Sequence, residues 1–404
     1  MGSQGIFLLR PITVVFYVAL LAGQYSFDRI GMNNPFYIPE RLFGIGLVTF
    51  LAFILGLANI KKNSTGPSNA ALTSLPIAYA LLTSTWGANV PDFWSTVTDL
   101  TCMLLACLTI SILLRWDSTV VAETLLWCLA ITGIIFSLAG LASASGGDRV
   151  AAFGGGPNVY SRITMLGFIA VAGLVLMRKL PLPALAFGPL MLIATVASGS
   201  RGGMLAGLVS LCVLALLMRR LRPFQIAAGL GLLIACMFLV YEKFSDTVDQ
   251  VVGGRIVQLT FEQGYTSGRG GLLNAALDLY NSHIVTGSGL RGFEEYYGQG
   301  FTYPHNLVLQ TAAEGGSIGL VFLIVALSIF ARRIVLHHHS QLALLFSAAA
   351  TVIFVSSMFS GDYYDARFLW IFMIVAMSMT YSQPVAESEP SLTSPTEMGD
   401  QNKK

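Results

Sequence analysis

A chain of 404 residues with 54% hydrophobic and only 11% charged residues, and a mean hydropathy of +0.70, lies outside the composition of water-soluble globular domains. The formal net charge of +2 is too small to imply a nucleic-acid partner, and the basic residues are scattered at the ends of apolar segments. Cys102, Cys107, Cys128, Cys212 and Cys236 all fall inside apolar runs, where a thiol behaves as a small hydrophobe, so neither a disulfide framework nor a metal site is indicated.

Apolar runs of membrane-crossing length recur from residue 6 to residue 381. The first, Ile6 to Ala22, lacks a small-residue cleavage pattern and is expected to be a membrane anchor rather than a cleaved signal. The following spans are expected at 42–60, 70–87, 94–115, 120–142, 158–177, 181–199, 202–219, 223–241, 307–331, 340–359 and 364–381. The expected fold class is therefore all-α, a polytopic membrane bundle of about twelve transmembrane helices. It divides into a transmembrane bundle over 1–241, a loop domain over 242–304, transmembrane helices completing the bundle over 305–381, and a tail over 382–404. Ser, Pro, Glu and Thr dominate that tail, which reads as disordered.

Orientation follows from lysine and arginine in the connections. With both termini inside, the inner connections carry Lys61 and Lys62, Arg115, Arg178 and Lys179, Arg219, Arg220 and Arg222, and Arg332 and Arg333. His337, His338 and His339 then lie on the inner face, and only Lys243 among the lysines falls outside. The outer side nevertheless keeps Arg29, Arg41, Arg149, Arg162, Arg201, Arg255, Arg269, Arg291 and Arg367. A guanidinium suits bidentate contact with phosphate oxygens, so this excess suggests an anionic ligand on the outer face. Arg29, Arg41 and Arg367 read more simply as snorkelling side chains at the interface.

The polar insertion from Glu242 to Pro304 is too long for a turn, and structured insertions of this kind are usually functional. Within it, Leu272, Leu273, Ala276, Leu277 and Tyr280 have helical spacing, which predicts an amphipathic helix over Gly270 to Ser282. A local pattern recurs in Ser198-Gly-Ser-Arg201-Gly-Gly and Thr266-Ser-Gly-Arg269-Gly-Gly, each just before an apolar helix. Free N–H groups at a helix start, glycine backbone and a guanidinium make an anion site; alternatively, the small residues only permit close helix packing. Next comes Tyr303-Pro304-His305-Asn306, where Asn306 is a plausible N-cap and proline ends the loop, placing His305 at the mouth of the following helix. There the positive end of the helix dipole favours the neutral imidazole, which can accept a proton.

His305-Asn306, nine residues, then Gly316-Ser-Ile-Gly319 resembles the signature of bacterial O-antigen ligases, and the two arginine segments and Gly287-Ser-Gly289 resemble counterparts in the wider O-antigen ligase and polymerase superfamily. The resemblance spans roughly 150–330 by motif. It implies a glycosyltransferase of the bacterial inner membrane, with its active site facing the periplasm. A glycan on undecaprenyl diphosphate would pass to a sugar hydroxyl of lipid A–core, with inversion at the anomeric carbon and with no metal, nucleotide or other cofactor. Carried over by position, Arg201 and Arg269 would hold the donor diphosphate and His305 would be the general base or orient the acceptor, with Ser200, Asn306, Arg291 and Arg162 as supporting residues.

Membrane lipid and the two lipid-linked substrates are the partners this reading expects. An O-antigen polymerase using the same donor is the nearest alternative; a protein O-glycosyl ligase or a lipid flippase or transporter are more distant ones. Glu294 and Glu295 are paired carboxylates, as glycosidases use, yet adjacent positions on one loop do not face each other across a sugar. Glu314, roughly 13 Å along the helix from His305, reads as a buried acid hydrogen-bonded to a neighbouring helix.

Overall fold

The apolar runs become helices, and where a polar or glycine residue interrupts a run the helix breaks without the chain leaving it. The computed structural model describes residues 3–22, 40–59, 66–144, 149–217, 269–298, 300–336 and 340–380. Their α-helices are α1 (Ser3–Ala22), α2 (Glu40–Asn59), α3 (Gly66–Leu82), α4 (Phe93–Ala142), α5 (Pro157–Leu176), α6 (Phe187–Ala197), α7 (Arg201–Leu217), α8 (Arg269–Ser282), α9 (Gly292–Tyr297), α10 (Leu307–Leu336), α11 (Gln341–Ser357) and α12 (Arg367–Met379). Short 3₁₀ turns at Thr83–Trp86 and Leu182–Ala186 follow α3 and precede α6. The expected span at 223–241, the His337–His339 connection, the 382–404 tail, Arg29, Lys243 and Arg255 lie outside the described residues.

The all-α, multi-helix architecture agrees with a membrane bundle, but the helices do not map one to one onto the expected spans. Among the described residues only α4, α5 and α10 are long and apolar enough to cross a membrane by themselves. The 50-residue α4 contains two expected spans, 94–115 and 120–142, joined at Asp117, whose backbone is extended (φ −154°, ψ 103°). Asp117 Oδ1 accepts from Thr119 N and Val120 N, both at 3.1 Å, and so caps the second half as an N-cap residue would. The 13-residue α12 spans about 20 Å, less than the roughly 30 Å hydrocarbon core.

α12 is buried all round, with Trp370, Ile371, Phe372, Met373, Ile374, Val375 and Ala376 at 2% exposure or less. A helix without a polar face belongs at the centre of a bundle. It packs against α11, α4 and α3, and Phe368 meets Tyr17 of α1 with ring centroids 6.1 Å apart. Arg367, expected to snorkel, is 1% exposed instead: Nε donates to Leu20 O (2.8 Å), Nη1 donates to Tyr364 O (2.9 Å), and the guanidinium lies 4.5 Å from the Tyr364 ring centroid. The start of α12 is thus clamped to the end of α1 by hydrogen bonds to a buried cation rather than anchored at an interface.

The helix expected over 270–282 is α8, but its buried stripe differs from the expected one. Leu272, Ala275, Ala276 and Leu279 pack with Phe293 of α9 and Ala313 of α10, while Leu277 is 45% exposed. The i, i+3, i+4, i+7 set turns away from Leu273 and Leu277, so α8 lies on α10 with Leu277 outward.

Candidate active site

The starts of α5, α7, α10 and α12 and the ends of α6 and α11 meet at one end of the bundle, and polar side chains join them there. Asn158, on the first turn of α5, accepts at Oδ1 from Arg149 Nη2 (3.1 Å) and from Ser200 Oγ (3.0 Å), and donates from Nδ2 to Ser360 Oγ (2.9 Å). Arg149 Nε donates to Ser198 O (2.9 Å), and Ser200 Oγ accepts from Gly203 N (3.2 Å), so the turn leading into Arg201 is held from both sides. Arg162, one helical turn beyond Asn158 and 3% exposed, donates from Nη2 to Ser360 O and faces Asp365 across Gly361. A buried cation needs such a counter-charge to offset its desolvation.

The turn 358–366 between α11 and α12 joins this network to the histidine. Asn306 Oδ1 accepts from Leu309 N (3.0 Å), the N-cap bond expected for α10, and its Nδ2 donates to Met358 O (3.2 Å). His305 immediately precedes this cap, half-buried, with a left-handed backbone (φ 57°). Its ring lies edge-on to Tyr303 with centroids 4.5 Å apart, and Tyr303 in turn interacts electrostatically with Arg162. On the other flank of the turn, Phe359 fills the space beside Gly202, directly after Arg201. His305 and Arg201 therefore start two helices that both abut the Met358–Ser360 turn. In the same turn Asp362 Oδ1 accepts from Asp365 N (2.9 Å), and burial followed by the charge of Asp365 pushes the Asp362 carboxyl up to about 6.

The Gly316–Gly319 motif has a backbone role. Gly316 interrupts α10 (φ 62°, ψ −160°), a region open essentially to glycine alone. The freed backbone groups of α10 are taken up by the segment 284–289: Ser288 N donates to Ala313 O (3.0 Å), Gly289 N to Glu314 O (3.0 Å), Ser317 N to Ile284 O (2.7 Å) and Ile318 N to Val285 O (3.2 Å). Gly287 belongs to the same joint, since a Cβ there would lie 2.3 Å from Glu314 O. Leu290, fully buried, pairs with Thr83 O and Ala88 N, so the segment is gripped between the end of α3 and the break in α10. Arg291, at φ 64°, caps α9 and is ion-paired with Glu294, which gives that carboxylate a partner other than a sugar. Glu314, 1% exposed, is buried as expected, but it accepts from Gln310 Nε2 (3.4 Å) of its own helix and faces Tyr363 of the 358–366 turn rather than a neighbouring helix.

The two arginine segments differ in what surrounds their glycines. A Cβ at Gly203 would lie 2.3 Å from Ser161 Oγ, so close packing accounts for that glycine; at Gly270 nothing among the described residues lies within 4 Å. Arg269 opens α8, and its side chain lies outside the described residues, as does that of Arg41. The structure thus links Arg201, Ser200, Arg162, His305 and Asn306 through the 358–366 turn, and places Arg291 in the 284–291 segment gripped by α10. Sequence reasoning missed Asn158, Tyr303, Ser360 and the Asp362–Asp365 turn. The signal for Asn158 was Pro157-Asn158 four residues before Arg162, which puts the two on one face of a helix start.

Residues 186–324 match the family model described as O-antigen ligase. The match includes Arg201, Arg269, Arg291, His305 and the Gly316–Gly319 break, but stops short of Asn158, Arg162 and the 358–366 turn. No curated protein matches the chain.

Proposed function

We propose that the protein is an O-antigen ligase, transferring a glycan from undecaprenyl diphosphate to a sugar hydroxyl of lipid A–core at the periplasmic face of the inner membrane. The observation that carries this reading is that His305 and Arg201 stand at two helix starts abutting one turn, in a chain whose residues 186–324 match the O-antigen ligase family model. The lysine and arginine bias supports the periplasmic assignment of that end and cytoplasmic termini, within a bundle of about twelve spans. The excess of arginine over lysine on the expected outer side, which includes Arg269 and Arg291, supports an anionic donor on that face.

In this mechanism the acceptor oxygen attacks the anomeric carbon as the bond from that carbon to the phosphate oxygen breaks. The diphosphate leaves with the bonding electron pair, and direct displacement inverts the anomeric centre. Arg201 and Arg269 stabilise the charge on the leaving diphosphate, for which a fixed guanidinium suffices without protonation. His305 takes the acceptor proton, or holds the hydroxyl in line. Ser200 and Asn306 fix the helix starts that carry these groups, and Arg162 and Arg291, bonded to Ser360 O and Glu294, hold the turn and the segment beside them.

The test is the inventory of lipid-linked intermediates in a strain lacking the gene. Long glycan accumulating on the carrier beside unmodified lipid A–core is the result expected. A single repeat unit joined to the core would instead make the protein a polymerase, and unchanged lipopolysaccharide would exclude both.

A further inference from the structure

One carboxamide lies where four chain segments meet. Asn158 of α5 contacts Arg149 of the preceding loop, Ser200 at the start of α7 and Ser360 of the turn after α11. Its oxygen is filled by the two donors from Arg149 and Ser200, so it is committed to protein rather than to substrate. Each partner fixes something else. Arg149 also holds Ser198 O; Ser200 N donates to Ser198 Oγ (3.1 Å); Ser200 Oγ receives Gly203 N, closing the first turn of α7 around Arg201. Ser360 O receives Arg162, and the neighbouring Phe359 packs beside Gly202.

We propose that Asn158 is the positioning residue of the donor site, locking the Ser198–Arg201 turn against the Met358–Gly361 turn and thereby aiming Arg201 at the diphosphate of the lipid-linked glycan. The proposal rests on the reading of Arg201 given above. A neutral carboxamide suits this role because it accepts from a guanidinium and a hydroxyl and donates to a second hydroxyl, without placing a negative charge beside an anionic substrate. Orientation of this kind acts through the donor, because misplacing a charged clamp by about 1 Å costs up to about 10²-fold in rate.

The experiment uses the full-length protein in nanodiscs, with undecaprenyl-diphosphate-linked glycan as donor and lipid A–core as acceptor. Asn158→Ala is expected to lower kcat/KM for the donor about 10–100-fold while leaving the KM for the acceptor unchanged. Asn158→Asp keeps both acceptor bonds but loses the Nδ2 donor to Ser360 and places a negative charge beside the anionic substrate, so it should remain impaired. Because Asn158 and Ser200 share one bond, the Asn158→Ala, Ser200→Ala double variant should lose less than the product of the two single losses. A residue that only supports the fold would shift both KM values together and lower the yield of folded protein. Wild-type transfer by Asn158→Ala alongside an inactive Arg201→Ala overturns the positioning role alone. Wild-type transfer by Arg201→Ala overturns the donor reading and this proposal with it. If Asn158→Ala is not recovered folded, Ser200→Ala and Ser360→Ala decide: loss confined to the donor KM supports the proposal, and no loss in either overturns it.

Discussion

Replacing Gly316 with alanine should loosen the joint between α10 and the segment bearing Arg291. The added Cβ would lie 2.4 Å from both Gly287 N and Val285 O, in a backbone conformation (φ 62°, ψ −160°) that side chains other than glycine avoid. That conformation alone costs about 1–3 kcal/mol. The clash also pushes out a segment held by the four backbone hydrogen bonds to Ala313, Glu314, Ser317 and Ile318, each worth on the order of 1 kcal/mol when buried. Losing half of them brings the total to roughly 3–5 kcal/mol, and a fall in apparent Tm of roughly 5–10 °C. The adjacent Gly315 is an internal control: the nearest atom to its Cβ is Tyr79 Cε1 at 3.4 Å, ordinary contact distance, so Gly315→Ala should stay within about 1 kcal/mol of wild type. Thermal unfolding of both purified variants in one detergent compares them directly. Equal melting of Gly316→Ala and wild type, or a larger loss in Gly315→Ala, would refute the socket.

Arg201→Lys and Arg269→Lys should each transfer at least about tenfold more slowly than wild type, because a point charge lacks the planar fork that grips two phosphate oxygens; wild-type rates in both would remove the bidentate argument. Arg367→Ala should reduce the yield of folded protein rather than the donor KM, since it leaves Leu20 O and Tyr364 O without their buried donor; normal yield with a raised donor KM would make it a ligand residue instead. The Asp362 carboxyl is raised in the folded state by burial and by Asp365, so the stability it contributes is fully present below its ordinary value of 3.8 and is lost as pH rises through about 6. Asp362→Asn should therefore gain in Tm relative to wild type as pH rises from about 4 to about 6, and a difference independent of pH across that window would contradict this.

How much of this was legible in the sequence depended on whether the information was local. His305 and Asn306 at the mouth of α10, and Ser200 and Arg201 at the start of α7, follow from a proline, a capping residue and the onset of an apolar run. Those are signals within a few residues. The break at Asp117 falls between the two spans expected there, but the number of membrane-crossing helices was not legible in this way, because hydropathy does not register the bend at Gly316 and the described part of α12 is short. Arg367 illustrates a second limit: an arginine before an apolar run looks the same whether it faces headgroups or a buried carbonyl from α1, a partner 347 residues away. Asn158 reaches Ser360 over a separation of 202 residues, and only the folded bundle brings that turn to it. Gly316 stood in a motif that carried the family resemblance, but its role as a socket appears only with the 284–289 segment in place.

The central claim is that this end of the bundle performs glycosyl transfer with His305 beside the acceptor. Its most direct test is single-turnover transfer from purified undecaprenyl-diphosphate-linked glycan to lipid A–core, comparing wild type, His305→Ala and His305→Gln across pH and with a chelator. A general base predicts that His305→Ala slows the chemical step about 10²–10⁴-fold with little change in donor binding, and that His305→Gln remains slow. Wild type should lose rate at low pH as the imidazole becomes protonated, and should be indifferent to the chelator. Near-normal transfer by His305→Ala would contradict the account, and near-normal transfer by His305→Gln alone would restrict His305 to orienting the acceptor. Rate loss on chelation would require a metal-assisted mechanism in place of the one argued from these side chains.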